Sequence, residues 1–295
     1  MAKLLYASTK NSDLLYAVKV EIPDALFYIH TGKKEYEFLD HRELGVFQEH
    51  NHNPNIEVVL LNPLLAEAAK LPGKTSGVNK LAKLLVDKYQ LAQPLEVSKT
   101  LPLDMADYLR SEGVILQVKH PFLPERLHKQ TTEVEAIHES LHRTHAAFQR
   151  IEDILHESVI TGDEILYQDE PLTSEHLKAE VERTMLEHDL LNVEGIIISC
   201  GFHAAIPHHR GAGKLRPNQT IICDIFPRHR ASGYFADMTR TYVKGEVTPE
   251  IKKMYEAVSL AQRSAIQAIR PGKLGKEIHQ VCVKTFDQAG FEFFR

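Results

Sequence analysis

Two aspartates, Asp224 and Asp237, lie close together in the chain, each beside a strand-like stretch. Residues 220–223 precede the first and residues 238–242 follow the second, and the whole segment predicts strand, turn, strand. The aspartates are 13 positions apart (237 − 224), and with an even loop two such residues pair directly and point to one face. Carboxylates held side by side repel each other unless a cation lies between them. A divalent metal ion bound by both is the simplest explanation of this spacing, and the segment would then be half of an active site.

A solvated hairpin is the alternative interpretation of this segment. Its two acids would then be balanced by the nearby cations Arg228, Arg230 and Arg240. The spacing alone leaves both interpretations open.

A second pattern, His138-Glu139-Ser140-Leu141-His142, has the form HExxH of zinc peptidases. On a helix the two histidines share a face, the glutamate is a candidate general base, and His145 adds another imidazole. The longer metzincin motif is absent, because His145 stands where glycine is required. In a chain with 17 histidines such a pattern also arises by chance, so the polar flank of a long helix is the favoured interpretation.

The composition is that of an ordinary globular protein of 295 residues, enough for two domains. A net charge of −5 argues against a nucleic-acid partner, and no apolar run approaches the length of a membrane span. The cysteines, Cys200, Cys223 and Cys282, are odd in number and far apart, which favours a reducing cytoplasm. We expect a cytoplasmic protein without a signal peptide.

Residues 1–122 predict an α/β domain, with strands at 25–30, 35–39, 55–61 and 114–118 and helices at 79–89 and 102–109. The prolines at 121 and 124 mark its end, so residues 123–295 predict a second domain. Thr132 and Glu135 form a predicted capping box at the start of a long helix. Strands at 195–199 and 220–223 flank a histidine-rich loop, and further helices begin near 173, 248 and 274. Helices gathered around antiparallel strands indicate an α+β class for this domain.

Several stretches of the second domain resemble the pita-bread metallopeptidases, the group of aminopeptidase P, prolidase and creatinase. They are the loop 201–208, the strand that ends at Asp224, the segment 233–241 with its Asp-x-Thr-Arg sequence, and the helix that ends at 269–272 in Ile-Arg-Pro-Gly. Residues 1–122 resemble the group's smaller creatinase-N-like domain, by architecture more than by motif. The resemblance implies an α+β pita-bread catalytic domain preceded by a smaller α/β domain.

The resemblance implies a dinuclear site in which two aspartates, a histidine and two glutamates hold two divalent metal ions. Asp224 and Asp237 match the aspartates, and the metals would activate a bridging hydroxide for peptide-bond hydrolysis. His208 matches the histidine that contacts the substrate and steadies the tetrahedral intermediate. A carboxylate-rich site suits manganese first, with cobalt or zinc as alternatives. Arg240 is expected to orient a ligand carboxylate, with a plain surface ion pair as the alternative.

The sequence departs from the family pattern in four respects. The segment between the aspartates is two residues longer than usual, which keeps the side-chain parity. Phe226 replaces a glycine, and His203 stands where relatives often have asparagine, at the substrate pocket. The third histidine ligand and both glutamate ligands have no match before Arg295. We therefore expect the sequence to be the N-terminal part of a longer protein, and the 295-residue chain to be inactive by itself.

The resemblance implies an Xaa-Pro aminopeptidase or dipeptidase that acts on peptides with proline in second position and forms a homodimer. Two alternatives stay open: a non-catalytic pita-bread module that binds a peptide or protein, and a creatinase-like hydrolase of a small C–N bond. Retention of Asp224, Asp237 and His208 favours the enzyme, whereas the missing ligands favour the binding module.

Overall fold

The computed structural model describes residues 1–50 and 53–291. The chain divides into two compact units, Met1–Lys129 and Gln130–Arg295, while the sequence predicts the division at residue 122. A short 3₁₀ helix, Pro124–Leu127, ends the first unit. None of the helices in the described ranges combines the length and apolar character needed to cross a bilayer.

The first unit is built on a mixed sheet, which within the described residues has six strands in the order β4-β3-β2-β1-β5-β6. Its strands are β1 Lys3–Ala7, β2 Leu26–His30, β3 Glu35–Leu39, β4 Ile56–Leu60, β5 Leu95–Ser98 and β6 Leu116–Lys119. Its α-helices are α1 Ser12–Val18, α2 Leu44–His50, α3 Leu61–Ala68, α4 Gly77–Lys88 and α5 Leu103–Ser111. The predicted hairpin corresponds to β2 and β3, which pair antiparallel.

Helices cover both faces of this sheet. Apolar side chains of α3, α4 and α5 pack on the face that carries Leu4, Phe27 and Val97. Side chains of α1 and α2 pack on the opposite face, with Leu5 and Tyr28. The alternation of side chains along each strand assigns neighbouring residues to these two separate cores.

The second unit joins long helices to small antiparallel sheets. Its α-helices are α6 Thr131–Glu157, α7 Ser174–Glu187, α8 Pro249–Ala268 and α9 Gly275–Gln288. Its strands are β7 Val159–Thr161, β8 Glu164–Tyr167, β9 Glu170–Pro171, β10 Leu190–Leu191, β11 Ile196–Cys200, β12 Thr220–Ile225, β13 Arg228–His229 and β14 Met238–Val243. Within the described residues the sheets have the orders β7-β8-β9, β10-β13 and β11-β12-β14.

The capping box of helix α6 lies two residues before the predicted one. The box is formed by Gln130 and Glu133, and the backbone N–H of Gln130 donates to Glu133 Oε2 at 2.9 Å. Thr132 and Glu135, the predicted pair, lie inside the first turns and are exposed. Both pairs have the three-residue spacing of the motif, so the sequence alone does not decide between them.

Candidate active site

Strand β12 positions Asp224 through its alternation of side chains. Ile221, Cys223 and Ile225 are fully buried in the core of the second unit. Asp224 lies between Cys223 and Ile225 in sequence, so its side chain points to the opposite, partly open face of the sheet. Core packing on one face therefore fixes a carboxylate on the other.

Asp224 and Asp237 share a face but do not pair directly, which corrects the sequence prediction. In the antiparallel pairing of β12 with β14, Asp224 lies opposite Thr239. Asp237 comes two residues earlier, just before β14 begins, so it is a diagonal neighbour of Asp224 on the same face. Diagonal neighbours have Cα atoms roughly 7–8 Å apart, a separation that two carboxylates can bridge through a cation.

Thr239 holds the Asp224 carboxylate in place. Its hydroxyl donates to Asp224 Oδ1 at 2.6 Å, a short bond to a charged acceptor. This contact belongs to the Asp-x-Thr-Arg signature, so the motif contained the signal, although no role was predicted for Thr239 from the sequence. The two carboxylates also interact electrostatically. The pKa of Asp237 is raised mainly by burial and, to a smaller extent, by the charge of Asp224.

The twelve residues between the aspartates form a fixed connection. Strand β13 pairs with β10, so the connection is bound to a strand outside the hairpin. The Tyr234 hydroxyl donates to Oε1 of Glu133 on α6 at 2.5 Å. Oγ of Ser140, which is also on α6, donates to the Tyr234 carbonyl at 3.1 Å. Gly233 makes the turn with a φ of +72°, a conformation that favours glycine. The two extra residues noted in the sequence thus lie in a loop anchored to α6 and β10.

The histidine-rich loop leaves the sheet at some distance from the aspartates. It begins with a 3₁₀ helix, Gly201–Ala205, at the end of β11 where Cys200 pairs with Ile221. Ile221 is three positions from Asp224 along β12, which corresponds to roughly 10 Å. His208 is exposed in the turn that follows the 3₁₀ helix.

His203 stacks on His209, with ring centroids 3.9 Å apart and planes inclined by 15°. His209 accepts a hydrogen bond from Gly211 N–H at 3.0 Å through Nδ1, so its ring is fixed from a second side. His209 was not predicted as a site residue, because a tandem His208-His209 gives no signal as to which ring faces the loop interior. His203 is therefore held by this stack.

Arg240 does not contact either aspartate in the described structure, contrary to the role expected from sequence. It lies opposite Cys223 in the register, on the face away from Asp224. Its guanidinium lies 5.6 Å from the centre of the Phe148 ring and donates to the Thr239 carbonyl at 2.9 Å. The alternation of side chains is the reason, because neighbouring residues on β14 point to opposite faces.

The aspartate pair fits part of a divalent metal site. Carboxylate oxygens are the ligands that hard and borderline divalent ions prefer, and Asp224 and Asp237 share one open face. Across residues 1–50 and 53–291, however, no group of three or more His, Cys, Asp or Glu side chains is arranged to hold a metal ion. The five-ligand set implied by the resemblance is therefore not assembled in the part of the chain that is described.

The HExxH segment forms a polar flank of α6, which is the interpretation that the sequence favours. Glu139, the candidate general base, accepts a hydrogen bond from Arg143 Nε at 2.7 Å in an i,i+4 ion pair. His138 and His142 are exposed. His145 Nδ1 lies 3.0 Å from the Leu141 carbonyl. The described residues thus contain no zinc site at this segment.

Known proteins resemble both the sequence and the fold. The profile of metallopeptidase family M24 matches residues 135–295, more than half of the chain. A Mycobacterium tuberculosis protein named probable dipeptidase PepE is 28% identical over 171 residues, which are 57% of this chain and 42% of the relative. An Xaa-Pro dipeptidase of Lactobacillus delbrueckii subsp. lactis is 34% identical over 100 residues, 33% of this chain and 27% of that protein. The chain thus matches less than half the length of these relatives.

Solved structures share the fold of nearly the whole chain. The prolidase from Pyrococcus furiosus has a TM-score of 0.74 at 18% identity, covering 98% of this chain and 75% of that one. The dipeptidase PepE from Mycobacterium ulcerans has a TM-score of 0.73 at 19% identity, covering 98% and 72%. This likeness establishes the fold, an α+β pita-bread unit preceded by a smaller α/β unit. Together with the family profile, it shows that the chain belongs to metallopeptidase family M24.

Proposed function

We propose that this protein is a metal-dependent exopeptidase that acts on peptides or dipeptides with proline in second position. The observation that carries the proposal is the diagonal pair Asp224 and Asp237 on one open face, in a chain of family M24. A relative named Xaa-Pro dipeptidase and a structural neighbour named prolidase support the substrate class.

In this proposal each side chain has one task. Asp224 and Asp237 would hold metal, and Thr239 keeps Asp224 Oδ1 oriented through its hydrogen bond. Bound divalent ions would supply Lewis-acid polarisation of the substrate carbonyl and an activated water. His208, exposed on the neighbouring loop, would donate to the substrate carbonyl oxygen as charge develops there. Two ions per site, manganese first and cobalt or zinc next, remain part of the proposal.

A non-catalytic binding module is the second candidate, and one observation favours it. The described residues bring no third metal-binding side chain to the aspartates. Two carboxylates alone bind a divalent ion weakly. We therefore expect the 295-residue chain to bind manganese weakly and to hydrolyse no Xaa-Pro dipeptide.

A manganese titration followed by calorimetry tests the metal role. Asp224→Asn and Asp237→Asn should each abolish saturable binding, because each removes one of two charged ligands. Asp169→Asn is the matched control, since Asp169 is exposed in a turn of the same unit at a φ of 64°, which asparagine tolerates. Unchanged binding in both site variants would refute the metal role of the pair.

A substrate panel of Xaa-Pro dipeptides, longer peptides and creatine separates the peptidase from the creatinase-like alternative. It applies to the 295-residue chain and to any longer form of the protein. Manganese-dependent turnover by the 295-residue chain would refute our expectation that two aspartates are insufficient. The homodimer and the cytoplasmic location are further proposals, and light scattering of the purified protein tests the first.

A further inference from the structure

A crevice lies at one edge of the sheet in the first unit. Strands β1, β5 and β6 are parallel neighbours, so their carboxyl ends meet at the same edge. The chain turns from β1 into α1 on one face of the sheet, and from β5 into α5 on the other face. In α/β sheets, connections that leave adjacent strands in opposite directions open a crevice where ligands bind. The topology therefore marks the β1/β5 edge as a candidate binding site.

A cavity of about 260 Å³ is present at this edge. Its lining comes from the carboxyl ends of β5 and β6 and from the segments beyond the three strands. These are residues 11–13 beyond β1, 98–100 at the end of β5 and 119–122 at the end of β6, together with Arg126. Small-molecule sites usually measure about 300–1,000 Å³, so this cavity suits a small ligand.

The lining carries more positive than negative charge. Lys99, Lys119 and Arg126 line the cavity, and Asp13 is the acid among the lining residues. Arg126 is ion-paired with Asp13, and Lys119 Nζ lies 3.7 Å from Glu96 Oε1. Lys99 is exposed and makes no ion pair within residues 1–50 and 53–291. The cavity therefore offers a cation whose charge is not neutralised by a neighbouring acid.

Hydrogen bonds fix the polar wall across the crevice. Asn11 Nδ2, on the β1 side, donates to Thr100 Oγ1, on the β5 side, at 3.2 Å. Thr100 Oγ1 also lies 2.9 Å from Ser98 Oγ, which is buried. Side chains held in this way lose little freedom when a ligand binds, which favours affinity.

We propose that this crevice binds a small oxyanion, a phosphate or carboxylate group, contacted by Lys99 and Lys119. The site lies within the first unit and is separate from the aspartates of the second. A charge-assisted hydrogen bond from lysine to an oxyanion is stronger than a neutral one, and the charge of Lys99, which makes no ion pair in the described ranges, favours a negative ligand.

Calorimetric titrations with inorganic phosphate and with succinate test the proposal and distinguish the two ligand chemistries. We expect saturable 1:1 binding of at least one anion by the 295-residue protein, and the tighter of the two identifies the group. Lys99→Gln should weaken it about tenfold or more, because one charged donor is lost. Lys119→Gln should weaken it similarly, and added sodium chloride should compete.

Lys33→Gln is the matched control. Lys33 lies in the turn between β2 and β3, and since β2 runs antiparallel to β1 this turn is at the opposite edge of the sheet. The control should bind like the wild type. Lys99→Gln should also keep the wild-type melting temperature, because Lys99 makes no ion pair in the described ranges. Absence of saturable binding of both anions, or equal binding by Lys99→Gln and Lys33→Gln, would overturn the proposal.

Discussion

The two units contain carboxyl groups in opposite environments, buried in the first unit and on an open face in the second. In the first, Glu37 lies on β3 with 0% exposure, and neither carboxylate oxygen has a hydrogen-bond partner among the described residues. In the second, Asp224 and Asp237 share an open face, where solvent screens their repulsion. Burial raises the pKa of Glu37 to about 8, so its side chain is protonated at neutral pH. A carboxyl group without a hydrogen-bond partner can be buried only in its neutral form. A carboxylate that binds a cation must instead stay charged and accessible.

The position of Glu37 in the sheet explains its burial. Tyr28 on β2 and Val58 on β4 flank it in the register, and helices α1 and α2 cover that face. A charged carboxylate there would lose its hydration without gaining a partner, so the neutral form is favoured.

Glu37→Gln should produce the largest change, in the pH dependence of stability. An unfolded glutamate loses its proton near 4.5, and the folded one near 8. Between these values the unfolded chain binds fewer protons, so the free energy of unfolding falls as the pH rises and levels off above about 8. The loss amounts to roughly 3–5 kcal/mol in all, at about 1.4 kcal/mol per pH unit. The glutamine variant should lack this decline.

Urea unfolding at intervals of roughly one pH unit between pH 5 and 9 measures this decline in the free energy of unfolding. Hydrogen exchange of the β2 and β3 amides then shows whether the decline arises in these strands. Glu57→Gln is the control, because Glu57 is exposed on the adjacent strand and pairs with Lys34 at 3.1 Å. It should keep the wild-type decline. Identical slopes for the wild type and Glu37→Gln would show that Glu37 is not a buried neutral acid.

Thr239→Val, which lies beside the aspartates on the open face of the second unit, should have the next largest effect. Valine keeps the shape of threonine but removes the hydroxyl that donates to Asp224 Oδ1 at 2.6 Å. Freed from this contact, Asp224 adopts more orientations, and manganese affinity should fall about tenfold. Thr239→Ser retains the hydroxyl and should bind metal like the wild type. Equal affinity in the valine and serine variants, measured by calorimetry, would remove the positioning role of Thr239.

Asp237→Asn should have the smallest effect on the metal-free protein. It removes the repulsion with Asp224 that contributes to the raised pKa of Asp237. Because the side chain is exposed, the second unit should gain only about 0.5 kcal/mol or less. Chemical unfolding at low salt measures the gain, and high salt should remove it. A loss of stability at low salt would mean that Asp237 makes a stabilising contact instead of a repulsive one.

The sequence predicted most of the second unit because its signals are local. Thr248 followed by Pro249 and Glu250 marked the start of α8, and its hydroxyl accepts from Ile251 N–H at 3.3 Å. The first unit was harder. Strands β1 and β5 and helices α1, α2 and α3 were not predicted, since short elements depend on packing across the sheet.

The common face of the two aspartates was predicted from the sequence, but their register was not. Asp224 and Asp237 were identified from flanking motifs, yet parity gave only their common face. The register depends on how the twelve residues between them are fixed, and β13 pairs with a strand that the sequence does not mark. The role expected of Arg240 was inferred from proximity in sequence, whereas the alternation of side chains places it on the face opposite to that of Asp224. Glu37 carried no signal, since a glutamate alternating with Tyr36 and Phe38 is typical of a strand with one solvent face.

The hydrogen bond between Tyr234 and Glu133 joins two segments that are synthesised at different times. Its two ends are 101 positions apart in the chain. At about 5–20 residues per second, the start of α6 leaves the ribosome roughly 5–20 seconds before the loop that it must hold. Helix α6 can therefore form early, whereas the turn between Asp224 and Asp237 is anchored only when this long-range contact closes. The first unit has been synthesised by then. We therefore expect Glu37 to be buried in a folded unit before the two aspartates of the second unit are brought together.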